Sequence, residues 1–149
     1  MPPKKKPDPM DVERVLEALD RALVLQQRSV LQFTRGAGSM FGLEYQAVGG
    51  QLWLFARAEL DDTKLLVEKI TALGGDPTVE VGALSWSSEP AAAVDALIEA
   101  EDETIAALHD VIPYSGQEPR SEALEHLMEH LIMRKQNQVD WLRRARRSP

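Results

Sequence analysis

The sequence predicts an all-α protein, an antiparallel four-helix bundle with a longer crossover between its second and third helices. Four stretches carry apolar residues at steps of three and four, and no stretch alternates apolar and polar residues as a half-buried strand would. The 149 residues are 44% hydrophobic, which is enough for one core and one domain. Residues 78–90 are too many for a tight turn between neighbouring helices. Two helices, a crossover and two further helices are typical of such a bundle.

The first helix is predicted over about residues 11–34, with Asp8 as its N-cap before Pro9, and with Gly36 and Gly38 ending it. Its apolar residues keep to one face: Val12, Val15, Leu16, Leu19, Ala22, Leu23, Val30 and Phe33. The second helix is predicted over about residues 40–73, capped by Ser39 and stopped by Gly74-Gly75. Gly49-Gly50 inside it predicts a bend or a close contact with another helix.

The third helix is predicted over residues 91–111, after the start signal of Ser88, Glu89 and Pro90. The fourth is predicted over about residues 121–147, with Ser121 as its cap. Basic residues in its last turns complement the helix dipole.

Composition and charge exclude several classes of function. The chain has no cysteine, which excludes a disulfide scaffold, a thiolate zinc site, a cysteine nucleophile and an iron–sulfur cluster. No apolar run approaches 18 residues, so we expect no membrane contact and a cytoplasmic location. The net charge is −7, with basic residues concentrated at the two ends. Residues 1–9 are predicted to be a disordered basic tail. Its residues Lys4, Lys5 and Lys6 could contact DNA weakly or could only aid solubility.

Each predicted helix carries a polar interruption near the middle of its apolar stripe. The interruptions are Gln26 on the first helix, Glu59 and Asp62 on the second, Glu101 on the third, and Lys135 and Gln138 on the fourth. Residues three apart share one helix face, so both members of each pair can point towards the bundle axis. Ionised side chains there need a partner or a metal. This layout matches that of di-iron bundles. In those bundles, each of two helices contributes one metal ligand, and each of the other two contributes a pair of ligands three residues apart.

The sequence around these positions resembles the bacterioferritin branch of the ferritin-like superfamily. The similar segments are Leu19-Asp20-Arg21-Ala22-Leu23, Glu59-Leu60-Asp61-Asp62, Leu108-His109-Asp110-Val111-Ile112 and Val139-Asp140-Trp141-Leu142. The resemblance implies a ferritin-like bundle over residues 10–147. Leu60 stands where bacterioferritins place the methionine that ligates haem, so no haem is expected.

Carried over by position, the resemblance implies an eroded di-iron site. Glu59 and Glu101 keep the family's carboxylates. The other four ligand positions hold different residues: Gln26, Asp62, Lys135 and Gln138. A protonated lysine cannot ligate a metal, so we expect Lys135 to replace metal as the counter-charge. Most simply, no cofactor is bound. One divalent ion held by oxygen atoms of Glu59, Asp62, Glu101, Gln26 or Gln138 remains an alternative.

Two functions follow as hypotheses. The first is a non-catalytic bundle that acts through self-association or through a partner. The second is an iron-binding ferroxidase or iron-storage protein with unusual ligands. The resemblance also implies a homodimer or a larger homo-oligomer packed through the first two helices, with Phe41, Tyr45, Trp53 and Leu54 as candidate contacts that could equally be ordinary core residues.

A separate pair of histidines lies on the fourth helix. His126 and His130 are four residues apart among glutamates and could bind zinc or copper at the surface. The simpler interpretation, which we favour, is a polar outer face of an amphipathic helix.

Overall fold

The structure is a computed structural model that describes residues 6–147. It contains four long helices and two short 3₁₀ turns, at Leu43–Tyr45 and Ile112–Tyr114. The helices are α1 (Val12–Ser39), α2 (Gln46–Ala72), α3 (Pro90–His109) and α4 (Pro119–Arg146). No strand occurs among these residues, so the predicted all-α fold is confirmed. None of the described helices has the length and apolarity needed to cross a membrane.

Helix α1 begins at Val12, three residues later than the predicted N-cap Asp8 and the following Pro9 indicated. Asp11 is the N-cap, and its side chain accepts a hydrogen bond from the Arg14 amide. The backbone carbonyl of Asp8 instead accepts from the amide of Gln117, at 2.8 Å, in the connection between α3 and α4. Gly116 allows this approach, since it has a positive φ of 76° and a side chain there would overlap the Pro9 backbone. The lysines Lys4 and Lys5 lie outside the described residues.

Helix α1 also ends later than predicted, because neither Gly36 nor Gly38 stops it. Gly36 is buried inside the helix, where an added Cβ would come within 2.7 Å of Leu52 on α2. The glycine therefore allows α1 and α2 to approach closely. Ser39 is the last residue of α1 rather than the cap of α2, and its hydroxyl donates to the Arg35 carbonyl.

The end of α2 matches the prediction. Gly74 adopts a positive φ of 87°, and its amide donates to the carbonyl of Thr71. The next amide, that of Gly75, donates to the carbonyl of Ile70 at 2.9 Å. These two bonds form a Schellman motif, which closes the helix and turns the chain into the crossover.

The crossover runs along the length of α1. Gln27 donates to carbonyls of Thr78 and Glu80, and the amide of Gly82 donates to the carbonyl of Val24. Nearer the end of α1, Gln32 donates to the carbonyl of Ser85. Because the crossover returns the chain to this end, α3 starts beside the end of α1 and runs antiparallel to it.

The buried apolar side chains form two clusters rather than one. The lower cluster, which includes Leu19, Leu66 and Met128, lies near the start of α1. The upper cluster, which includes Phe33 and Leu97, lies near its end. A layer of buried polar side chains lies between them, at the depth of the predicted interruptions.

Candidate functional site

The predicted polar interruptions form one buried layer, which we call the central polar layer. Each helix contributes to it because its polar residue falls on the stripe that faces the bundle axis. All six predicted residues are buried, with exposed fractions between 0% and 3%: Gln26, Glu59, Asp62, Glu101, Lys135 and Gln138.

Lys135 stands between two glutamates of different helices. Its Nζ donates to Oε2 of Glu59 at 2.7 Å and to Oε2 of Glu101 at 2.8 Å. Burial alone would lower the pKa of Lys135, but the two carboxylates outweigh it and the pKa is raised above its usual value. The lysine is therefore positively charged and links α4 to both α2 and α3.

Glu59 accepts three hydrogen bonds from side chains of α1 and α4. One comes from Lys135, and the other two come from Gln26 on α1. The amide group of Gln26 donates to the Glu59 backbone carbonyl at 3.1 Å and also to its Oε2. Burial raises the pKa of Glu59 to about 7, with Lys135 acting against this rise and Glu101 adding to it. The buried site therefore favours the protonated form of this carboxyl more than water does.

Glu101 has a second partner that the sequence analysis missed. The hydroxyl of Ser29, on α1, donates to Glu101 Oε1 at 2.6 Å. Ser29 is fully buried and lies three residues after Gln26, so both face the axis. The spacing of three residues from Gln26 could have identified Ser29 in the sequence as a residue of this layer. The predicted stripe instead continued through Val30, which is only partly buried.

Asp62 turns away from the lysine towards another missed residue, Arg134. The guanidinium Nη1 of Arg134 lies 3.2 Å from Asp62 Oδ1, and Arg134 also contacts the ring of His130 at 3.0 Å. Burial raises the pKa of Asp62, and Arg134 opposes this rise. The layer therefore contains a second cation, placed at its edge.

Several oxygen atoms of the layer have no hydrogen-bond partner among the described residues. They are Oε1 of Gln26, Oε1 of Glu59, Oε1 of Gln138 and both carboxylate oxygens of Asp62, one of which has its ion pair with Arg134. All are acceptors, which need donors or a cation. The structure therefore brings Gln26, Glu59, Glu101 and Lys135 together in direct contact. Within residues 6–147, Oε1 of Gln138 has no hydrogen-bond partner.

The two histidines of α4 do not converge on one point. His126 Nδ1 lies 3.9 Å from Glu129, whereas His130 contacts Arg134. Within residues 6–147, no group of three or more histidine, aspartate or glutamate side chains is arranged to hold a metal ion, in the central polar layer or on the surface.

Comparisons with known proteins agree with this architecture. The sequence model of the Ferritin-like domain family matches residues 16–147. A ferritin-like di-iron-carboxylate protein from Bacillus anthracis superposes with a TM-score of 0.82 at 20% identity, covering 92% of this chain and 98% of that one. Rhodobacter capsulatus bacterioferritin, described with a metal-free dinuclear site and haem iron, gives 0.79 at 17% identity, covering 88% and 82%.

A third structure, the dodecameric thioferritin from Bacteroides fragilis, superposes with a TM-score of 0.80 at 15% identity, covering 91% of this chain and 86% of that one. At these identities the likeness shows the fold alone. No curated protein sequence matches the chain. The family match covers most of the chain, from α1 to the end of α4. This chain belongs to the Ferritin-like domain family.

Proposed function

We propose that this protein is a non-catalytic ferritin-like bundle, in which Lys135 takes the place of metal and which acts by association with a second copy or a partner. One observation carries the proposal: the Lys135 ammonium donates to Glu59 and Glu101 at 2.7 and 2.8 Å. In di-iron bundles the corresponding carboxylates bind metal.

The residues present do not fit a pair of iron ions. An ammonium group has three donors and no lone pair, so it repels a metal and occupies carboxylate oxygens that the metal would need. The imidazole ligands of such sites also have no counterpart in the layer, since all three histidines of the chain are exposed. The donor set therefore lacks both the charge and the ligand types of a di-iron centre.

The charges of the layer balance closely without a metal. Three carboxyl groups, those of Glu59, Asp62 and Glu101, face two cations, Lys135 and Arg134. The pKa of Glu59 near 7 allows a proton to supply much of the remaining positive charge. Buried carboxylates usually need such compensation.

The competing function is iron binding with ferroxidase or storage activity, and the unpartnered acceptor oxygens of the layer favour it over a wholly inert core. Two measurements on untagged protein discriminate. Elemental analysis should find no stoichiometric metal, and ferrous ion should be oxidised by oxygen no faster than in buffer at neutral pH. A near-stoichiometric ion, or oxidation far above background, would overturn the proposal. One divalent ion without oxidation would identify the single-ion alternative.

Association through α1 and α2 is supported by exposed apolar side chains of α2 and of the α1–α2 connection. Phe41, Trp53 and Leu54 have exposed fractions of 58%, 50% and 55%. Tyr45 is instead half-buried and packs against the upper cluster. Such side chains would lose their contact with water in an association, which favours it. A second copy of the chain is the occupant that we propose, as a homodimer or as the unit of a larger homo-oligomer.

DNA contact through Lys4, Lys5 and Lys6 remains a prediction of the sequence. A chain that lacks residues 1–7 should lose any low-salt shift of DNA mobility if the tail is responsible. A shift that survives this deletion would exclude the tail.

A further inference from the structure

On the outer face of α4, two pairs of polar residues lie at equal distances on either side of Met133, and the members of each pair can attract one another. From Glu122 to Arg144, the exposed residues along this face are Glu122, His126, Glu129, Met133, Asn137, Asp140 and Arg144. At 3.6 residues per turn they all lie within about 40° of the direction of Met133. Glu122 and Arg144 lie eleven residues on either side of Met133, and His126 and Asp140 lie seven on either side.

We infer that α4 pairs in antiparallel orientation with α4 of a second copy, about a twofold axis that passes beside Met133. An isologous contact brings each position opposite its mirror position in sequence. Glu122 of each copy then meets Arg144 of the other, and His126 meets Asp140. Met133 meets its own copy at the axis.

The charges on α4 favour an antiparallel pairing with a second copy over a parallel one. A parallel pairing would place Glu122 against Glu122, so the pattern selects the antiparallel one. Two other arginines of the same end are already used within the chain, since Arg143 pairs with Asp102 at 2.8 Å and Arg146 with Asp95 at 2.9 Å. Arg144 forms no ion pair with any residue in the described part of the chain. It is free to meet a carboxylate of a second copy.

The centre of the face supplies apolar surface for the contact. Met133 has an exposed fraction of 58%, although it lies in the middle of a long helix. A flexible thioether at the axis packs well against its own copy. The contact would extend over 23 residues of α4 from Glu122 to Arg144, or about 33 Å between its outermost pairs. Because most of it is polar, we expect a weak association that depends strongly on salt.

The absence of cysteine from the chain allows a direct test. Met133→Cys places a single thiol at the proposed axis, where its copy would lie within disulfide distance. Mild oxidation at about 10 mM salt should give a disulfide-linked dimer, and about 1 M salt should prevent it. The control is Glu99→Cys, an exposed position on α3, which should remain monomeric under the same oxidation.

Charge exchange then tests the pairing itself. In the Met133→Cys chain, either Glu122→Arg or Arg144→Glu should lower the rate of cross-linking about tenfold. Each substitution places like charges opposite each other at both of the contacts that Glu122 and Arg144 form in the dimer. The double variant should restore it, whereas Glu99→Arg, with the same change in charge, should have little effect. Absence of cross-linking in the parent, or of restoration in the double variant, would overturn the inference.

The inference stands apart from the proposed association of α1 and α2. Leu54→Lys should leave the cross-link at Met133 unchanged, so a failure of one contact is distinguishable from a failure of the other.

Discussion

Asp62 and Arg134 form an ion pair that joins the buried centre of the bundle to its surface. Oδ1 of Asp62 lies 3.2 Å from Nη1 of Arg134, yet the aspartate side chain is fully buried while that of the arginine is 35% exposed. A carboxylate buried in this way depends on its ion pair with a cation, here that with Arg134.

Arg134→Met should therefore destabilise the protein by about 1–3 kcal/mol, less than for a fully buried pair because water already reaches the guanidinium. Asp62→Asn in the same chain should recover much of this loss, since the uncompensated charge is removed. Urea unfolding at neutral pH measures both. Arg57→Met, at an exposed position of α2, is the control. Additive effects of the two substitutions would show that Asp62 and Arg134 do not depend on each other.

Lys135→Ala should be more damaging, at about 3–5 kcal/mol, because two buried carboxylates lose their shared cation. The measurement is the free energy of unfolding in urea. Lys64, an exposed lysine of α2 with a side chain that is 78% accessible, provides the matched control as Lys64→Ala. An unchanged melting temperature for Lys135→Ala would contradict the role of the lysine as counter-ion.

Lys135→Glu should convert the layer into a cation site. The substitution replaces the ammonium with a further carboxylate, so a divalent ion such as Mn²⁺ should stabilise the variant, by about 2.7 kcal/mol at a concentration 100 times its Kd. The parent chain should show no such shift in melting temperature. If the variant folds only when Mn²⁺ is added, circular dichroism reports the same effect. An equal shift in parent and variant would mean that the lysine does not exclude metal.

Stability should fall as pH rises through the range in which Glu59 titrates. Its pKa is raised by burial from 4.5 to about 7, so folding favours the protonated form. The stability that Glu59 contributes is fully present below pH 4.5 and is lost as pH rises through about 7, with a slope of at most about 1.4 kcal/mol per pH unit. The raised pKa of Asp62 acts in the same direction.

Glu59→Gln should flatten this dependence, since an amide does not titrate. Urea unfolding between about pH 5 and pH 8 gives the comparison, with Glu68→Gln on the exposed side of α2 as control. Equal slopes in the parent and in Glu59→Gln would assign the dependence to other groups. The lowered pKa of Glu118, which arises from its bonds to Arg120 and to the Met10 amide, acts in the opposite sense and at lower pH.

Leu54→Lys should shift any homodimer formed through α1 and α2 towards monomer, because a charge would be buried in the contact. Analytical ultracentrifugation over a range of concentrations measures the change as at least a tenfold rise in Kd, about 1.4 kcal/mol. Ala106→Lys, at an exposed position of α3, should leave the association intact. A chain that is already monomeric at all concentrations would rule out this contact.

The sequence predicted the fold and most of the central polar layer because a charged residue on an apolar stripe is easily seen. Lys135 and Glu101 stand out in this way. Ser29 did not, since serine is small and neutral and a valine follows it. Arg134 lies on the flank of α4, and only the length of its side chain brings it to Asp62. Such contacts depend on how neighbouring helices pack, which periodicity along one helix does not specify.

Helix ends were less predictable for a related reason. Gly36 was expected to stop α1, but it allows α2 to approach and the helix continues to Ser39. Asp8 was expected to cap α1, but its carbonyl is bound by Gln117 from the α3–α4 connection. A glycine or an aspartate is compatible with either role, and a partner distant in sequence decides between them.

The position of the central polar layer between two apolar clusters also fixes the register of the helices. If one helix slid by a single turn, about 5.4 Å, its charged group would leave its partners and enter an apolar cluster. Each such shift would leave an unpaired charge buried, which costs several kcal/mol. Apolar side chains alone would tolerate the shift far better. Lys135, bonded to two other helices at once, thus makes one alignment of α2, α3 and α4 much more stable than its neighbours.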